Sequence, residues 1–164
     1  MSSWLMWDSV TPLVIPAAAR VVMPYRNGLY AWPPAMVSYF RDAAKAFIDV
    51  NGTDPEGCAV LDVETGDATP GQVPGWLGRK PPGSGCVYCN RSTLPAVLDA
   101  GREHQFYIGI ATLDGTIPDA AQLGLAASVT HAFTQAWGAA QLGFNADLSV
   151  IHDAGWLTRI GGTP

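Results

Sequence analysis

The stretch "CAVLDVETGD", Cys58 to Asp67, sets Asp62 and Glu64 two positions apart at the end of an apolar run, directly before a glycine turn. On a β-strand successive side chains alternate faces, so Val60, Asp62 and Glu64 share one face and Ala59, Leu61 and Val63 the other. Two neighbouring carboxylates repel when both are ionised, and the pair costs stability unless hydrogen bonds, cations or a substrate offset it. The chemistry open to such a pair is acid–base work, in which one carboxyl keeps its proton while another is charged.

The elements that must position these acids are legible as apolar runs bounded by Gly, Pro or polar residues. They are "WLMWDS" (Trp4 to Ser9), "RVVMPY" (Arg20 to Tyr25), "AFIDVNG" (Ala46 to Gly52), "AVLDVET" (Ala59 to Thr65), "CVYCN" (Cys86 to Asn90), "FYIGIAT" (Phe106 to Thr112), "HAFTQAW" (His131 to Trp137) and "LSVIHD" (Leu148 to Asp153). Helical signals lie between several of them: "PPAMVSYFRDAAKA" with two prolines in its first turn, "TPGQVPGWLG" with Thr69 as N-cap, and "STLPAVLDAGRE" capped by Ser92 or Thr93. Alternation of strand and helix predicts an α/β fold, a compact (β/α)8 TIM-barrel-like single domain over residues 1–164. Its helices must be shortened, because the usual lower bound for that fold is about 200 residues. An open doubly wound sheet is the alternative. In either fold ligands bind at the carboxyl ends of the strands, where Asp8, Asp49 or Asn51, Asp62, Glu64, Tyr88, Asn90, Thr112, Gln135 and Trp137 gather, with Asp147 just ahead of the last run.

Composition narrows the function classes. The chain is 48% hydrophobic and 14% charged, the composition of a packed globule. A net charge of −5, with nine Lys and Arg not gathered into a run, argues against a nucleic-acid partner. No stretch reaches the roughly 18 apolar residues of a membrane span, and "MSSWLMWDSV" lacks the basic start of a secretion signal, so synthesis in the cytoplasm without a signal peptide is expected. Cys86 and Cys89 have CxxC spacing without a second such pair, and on a strand they face opposite ways, so they are read as packing residues; no metal or cofactor is expected. His104, His131 and His152 are scattered, and no serine sits in a GxSxG context.

"WDSV", "VLDVETGD", "VYCNRST", "YIGIAT", "TQAW" and "ADLSV" follow one another in the order of motifs in family 25 glycoside hydrolases, the lysozyme-like muramidases of bacteria and phages. The chain resembles most a compact glycoside-hydrolase-like domain of actinobacteria and actinobacteriophages, found in endolysin-like and minor tail proteins. Carried over by position, the resemblance makes Glu64 the general acid, Asp62 its strand partner, Asp8 the aspartate of the cleft floor and Asp147 the aspartate before the final strand. Tyr88, Asn90, Gln135 and Trp137 would line the sugar groove. "YIGIAT" departs from the family, which has a tryptophan there in a WxAxY-like pattern.

With that acid set, repulsion from Asp62 and burial would raise the Glu64 pKa, leaving Asp147 or Asp62 as the charged stabiliser. The resemblance implies a protein, of bacteriophage origin, that acts on or binds the glycan of cell-wall peptidoglycan. A second reading is a non-catalytic structural or wall-binding component of a virion, such as a minor tail protein. Thin crossovers would also leave apolar surface for self-association or contact with other virion proteins.

Overall fold

The computed structural model describes residues 4–164. Its strands are β1 (Trp4–Asp8), β2 (Val21–Val22), β3 (Ala44–Lys45), β4 (Ile48–Asp49), β5 (Val60–Val63), β6 (Cys86–Asn90), β7 (Phe106–Ala111), β8 (Val129–Trp137) and β9 (Asp147–Ile151). Its helices are α1 (Pro34–Tyr39), α2 (Val73–Gly78), α3 (Leu94–Ala100), α4 (Ala139–Leu142) and α5 (Ala154–Arg159). Each of the eight apolar runs overlaps a strand, with β8 beginning two residues and β9 one residue ahead of its run, and β3 is the strand outside them, at the tail of a segment expected to be helical. Helix α1 stops at Tyr39 instead, before Phe40 turns into the core.

The strands form one sheet in the order β3-β2-β1-β9-β8-β7-β6-β5-β4. Its two ends, β3 and β4, are separated in sequence only by Ala46 and Phe47. On one side Ala46 N–H donates to Val22 and Ile48 N–H to Pro24; on the other, Ala59 and Val60 N–H donate to Phe47. The sheet therefore curls until its ends meet along residues 44–49.

This is not the expected (β/α)8 TIM-barrel-like alternation, nor an open doubly wound sheet. The sheet is mixed, because β9 runs antiparallel to both β1 and β8. The 138–146 connection holds only the single-turn α4 and is shorter than the dozen or so residues a parallel crossover needs, so the chain turns back. Between β1 and β2 the helical content is one 3-10 turn at Pro12–Val14, and between β7 and β8 there is none.

Curling gives the sheet an inner and an outer face. Met6, Val60, Cys86, Phe133 and Ile151 pack inside, and α5 plugs one end with Trp156, whose ring lies 5.1 Å from that of Phe133. Outside, Leu61, Val63, Val87, Cys89, Ile108 and Ile110 pack on Trp76 and Leu77 of α2 and Leu94 and Val97 of α3. Alternation thus separates Cys86 from Cys89 as the strand period requires. Gly109 makes room inside: a Cβ there would stand 2.2 Å from Cζ of Phe133, whose ring stacks on Tyr88 at 5.9 Å.

Among the described residues no helix is long and apolar enough to cross a membrane. Exposed large apolar side chains include Leu5 on the outer wall, and Val10, Leu13, Leu29, Tyr30, Leu113, Ile117 and Phe144 in loops that follow β1, β2, β7 and β8.

Candidate active site

The plugged end of the sheet is apolar; the other end is acidic. Asp8 ends β1 and Asp147 begins β9, and the two are direct partners in the antiparallel ladder. Asp62 lies on the inner face of β5, paired in register with Tyr88 of β6. Glu64 follows β5 and is half-buried at the mouth. Asp8 and Asp62 are almost wholly enclosed, and Asp8 Oδ2, Asp62 Oδ1 and Ser149 Oγ are buried without a hydrogen-bond partner. Among the described residues no three His, Cys, Asp or Glu side chains converge closely enough to hold a metal ion.

The electrostatics follow from this placement. Burial pushes the Asp8 carboxyl well above the usual range, Asp147, Asp62 and Glu64 push it further, and the phenol of Tyr25 opposes them. Burial also raises Asp62, helped by Glu64 and Asp67. Glu64 is raised by burial, then by Asp67 and Asp147. The repulsion within the Asp62/Glu64 pair thus falls on Asp62, and the neighbours that raise Glu64 are Asp67 and Asp147. Asp147 is raised by burial, but the Ala139 N–H and the Gln135 amide favour its charged form. No lysine or arginine acts on any of the four.

Asp49, the other strand-end acid, is equally buried and has the opposite environment. Its Oδ1 accepts from Asn27 Nδ2 (2.8 Å) and the Gly52 N–H (2.8 Å), and its Oδ2 from the Asp54 N–H (2.8 Å) and Trp76 Nε1 (2.9 Å). Burial would raise its pKa, yet these donors hold it below the ordinary value. Asp49 is a loop-organising carboxylate; Asp8 and Asp62 are acids left with open lone pairs.

The expected groove residues divide. Tyr88 and Gln135 are buried, and the Tyr88 hydroxyl donates to Gln135 Oε1. Asn90 accepts from Ser92 Oγ (2.7 Å) and the Thr93 N–H (2.9 Å), organising the turn into α3. Trp137 is half-buried at the end of β8, its indole edge beside Gly115.

Sequence reasoning missed Tyr25, Asp67 and Ser149 as members of this site. Tyr25 ends an apolar run and Asp67 follows Glu64 by three residues, so both carried a signal. Ser149 carried none. The histidines read as scattered are partly gathered: His131 and His152 lie 4.4 Å apart by ring centroid, each with Nε2 on Thr134 Oγ1, at 3.1 and 2.9 Å. They sit at the other end of β8 and β9 from the acids. No protein-family model matches the sequence, and no curated protein or solved structure is significantly similar to it.

Proposed function

We propose that this chain is a glycoside-hydrolase-like protein that acts on the glycan of bacterial cell-wall peptidoglycan, with Glu64 as general acid. The observation that carries the reading is the position of Glu64: half-buried at the mouth, raised by burial and by two acids, above the enclosed Asp8 and Asp62. A glycosidase must protonate a departing oxygen while a second carboxylate, still charged, steadies the positive charge developing on the sugar. Glu64 and Asp147 are the acids that solvent and a substrate can reach, whereas Asp8 and Asp62 are enclosed. Burial raises Asp147 as well, but the Ala139 N–H and the Gln135 amide oppose that rise, which makes Asp147 the acid suited to remain charged.

The exposed apolar side chains Leu13, Leu29 and Tyr30, in the connections that follow β1 and β2, favour a second reading, in which the chain docks another protein of a virion without catalysis. Incubation of the protein and of Glu64→Gln with purified peptidoglycan, followed by assay of released reducing ends, separates the two. Hydrolysis by the wild type that falls at least about a hundredfold in the variant supports the enzyme. A wild type that releases nothing supports the docking module.

A further inference from the structure

We infer that Leu113 is a specificity-determining residue: its exposed side chain, held beside Asp147 in a left-handed backbone conformation, contacts the acyl methyl of an N-acetylated sugar. The inference rests on the reading of the mouth as a glycan site and adds the substituent that the site selects.

The backbone supplies the first observation. Leu113 has φ 55°, and among the described residues every other positive φ belongs to a glycine. A Cβ in that region crowds the following carbonyl, and a bulky residue is rarely found there. The conformation is imposed from both sides. The Leu113 N–H donates to the Gln135 carbonyl, the Leu113 carbonyl accepts from Gln141 Nε2, and Gln141 Oε1 accepts from the Gly138 N–H (3.0 Å). Nothing in this scheme uses the leucine side chain, and a glycine, as found at Gly115 two residues on, would adopt the same backbone without strain. Nor is the side chain a core group, because 42% of the residue is exposed. Strain kept for an exposed apolar group at the mouth points to a ligand contact.

The surroundings say which contact. Leu113 follows β7 at the carboxyl ends of the strands. Leu113 Cδ2 and Asp147 Oδ1 lie 3.3 and 3.1 Å from one point, the Cβ position at Gly138, and so flank the same spot. A methyl and a carboxylate oxygen side by side match one edge of a secondary acetamide, because in the trans amide the N–H and the acyl methyl lie on the same side. The carboxylate accepts from the N–H while the methyl meets Leu113. An isobutyl group has no flat face on which a sugar ring could stack, so the substituent, not the ring, is its partner. The sugars of peptidoglycan glycan carry this acetamide.

The test uses soluble glycan strands from peptidoglycan, stripped of their N-acyl groups and then either N-acetylated or N-formylated. The two probes share a neutral amide and differ only by the methyl. Calorimetric titrations are made in the Glu64→Gln background, so that turnover does not consume the probes. With Leu113 present, the N-acetyl strands should bind about tenfold more tightly, the effect of one apolar group in a fitted site. The Leu113 methyl signals, assigned by their loss in Leu113→Gly, should shift with the N-acetyl probe in 13C NMR. Leu113→Gly and Leu113→Asn, both suited to the left-handed region, should bind the two probes within about twofold of each other and melt no lower than the parent. Ile117→Ser, at another exposed apolar position of the same connection, should keep the preference. Equal binding or no binding of the probes by the parent, variants that retain the preference, or variants that melt several degrees lower would overturn the inference. A preference for the N-acetyl strands with no reducing ends released by the wild type leaves the inference standing and ends the glycosidase reading; hydrolysis without that preference does the reverse.

Discussion

Asp8 and Asp147 stand directly opposite each other across the β1–β9 ladder, and no lysine or arginine acts on either. An acid pair placed this way must hold a proton or be destabilising. The account of the site follows from that constraint, and so do its tests.

Stability should increase on mild acidification. The folded-state pKa values of Asp8, Asp62, Glu64 and Asp147 lie above their ordinary values, so the folded state binds more protons than the unfolded chain in the window above pH ~4. Their stabilisation is fully present below the unfolded values and is lost as pH rises through the raised ones. His131 works against this, because burial and His152 lower it from 6.5 to about 4 and its contribution is lost as pH falls. Burial lowers His152 in the same direction; the four acids outweigh the two imidazoles, so the Tm at about pH 5 should exceed that at about pH 8. Scanning calorimetry of the wild type and of His131→Asn checks both signs: the variant should gain more on acidification.

Asp49 and Asp62 should respond oppositely to neutralisation. Asp49→Ala strands the Trp76 indole and the Gly52 and Asp54 amides, and should cost about 3–5 kcal/mol. Asp62→Asn removes a buried charge that has like-charged neighbours and an unpartnered oxygen, and should raise the Tm at neutral pH by a few degrees, roughly 1 kcal/mol. Denaturant melts of both variants in one buffer are sufficient; equal losses would contradict the assignment of Asp62 to the site.

Gly109→Ala should damage the interior. The new methyl would meet the Phe133 ring from the strand backbone, at 2.2 Å, and relief requires moving Phe133 or the sheet. A cost of roughly 1–3 kcal/mol is expected, with a changed near-UV circular dichroism signal as the Tyr88 stacking shifts. An unchanged spectrum and melting point would show that the inner face is looser than described.

The sequence was most informative where period and side-chain type coincide. Alternation in "AVLDVET" put Val60, Asp62 and Glu64 on one face, and Val60 does pack inside while Leu61 and Val63 pack outside. The direction of β9 was not legible, because an apolar run has no polarity; only the short 138–146 connection held that information. Nor was the closure at residues 44–49, since β3 and β4 are too short to show a period and pair with strands far away in sequence. The same limit hid the approach of His152 to Thr134 and His131 of β8, and of Ser149 to Gln135, which meet only across the ladder.

The central claim, that Glu64 delivers a proton, is tested most directly by the pH profile of reducing-end release from purified peptidoglycan by the wild type and Glu64→Gln. Burial, Asp67 and Asp147 raise the Glu64 pKa, so wild-type activity should persist above the ordinary glutamate value of 4.5 and then fall as pH rises through the raised one. Glu64→Gln, folded as judged by circular dichroism, should be lower by about a hundredfold or more at every pH and should lack that limb. Undiminished turnover in Glu64→Gln, or a profile with the same alkaline limb in both proteins, would contradict the assignment.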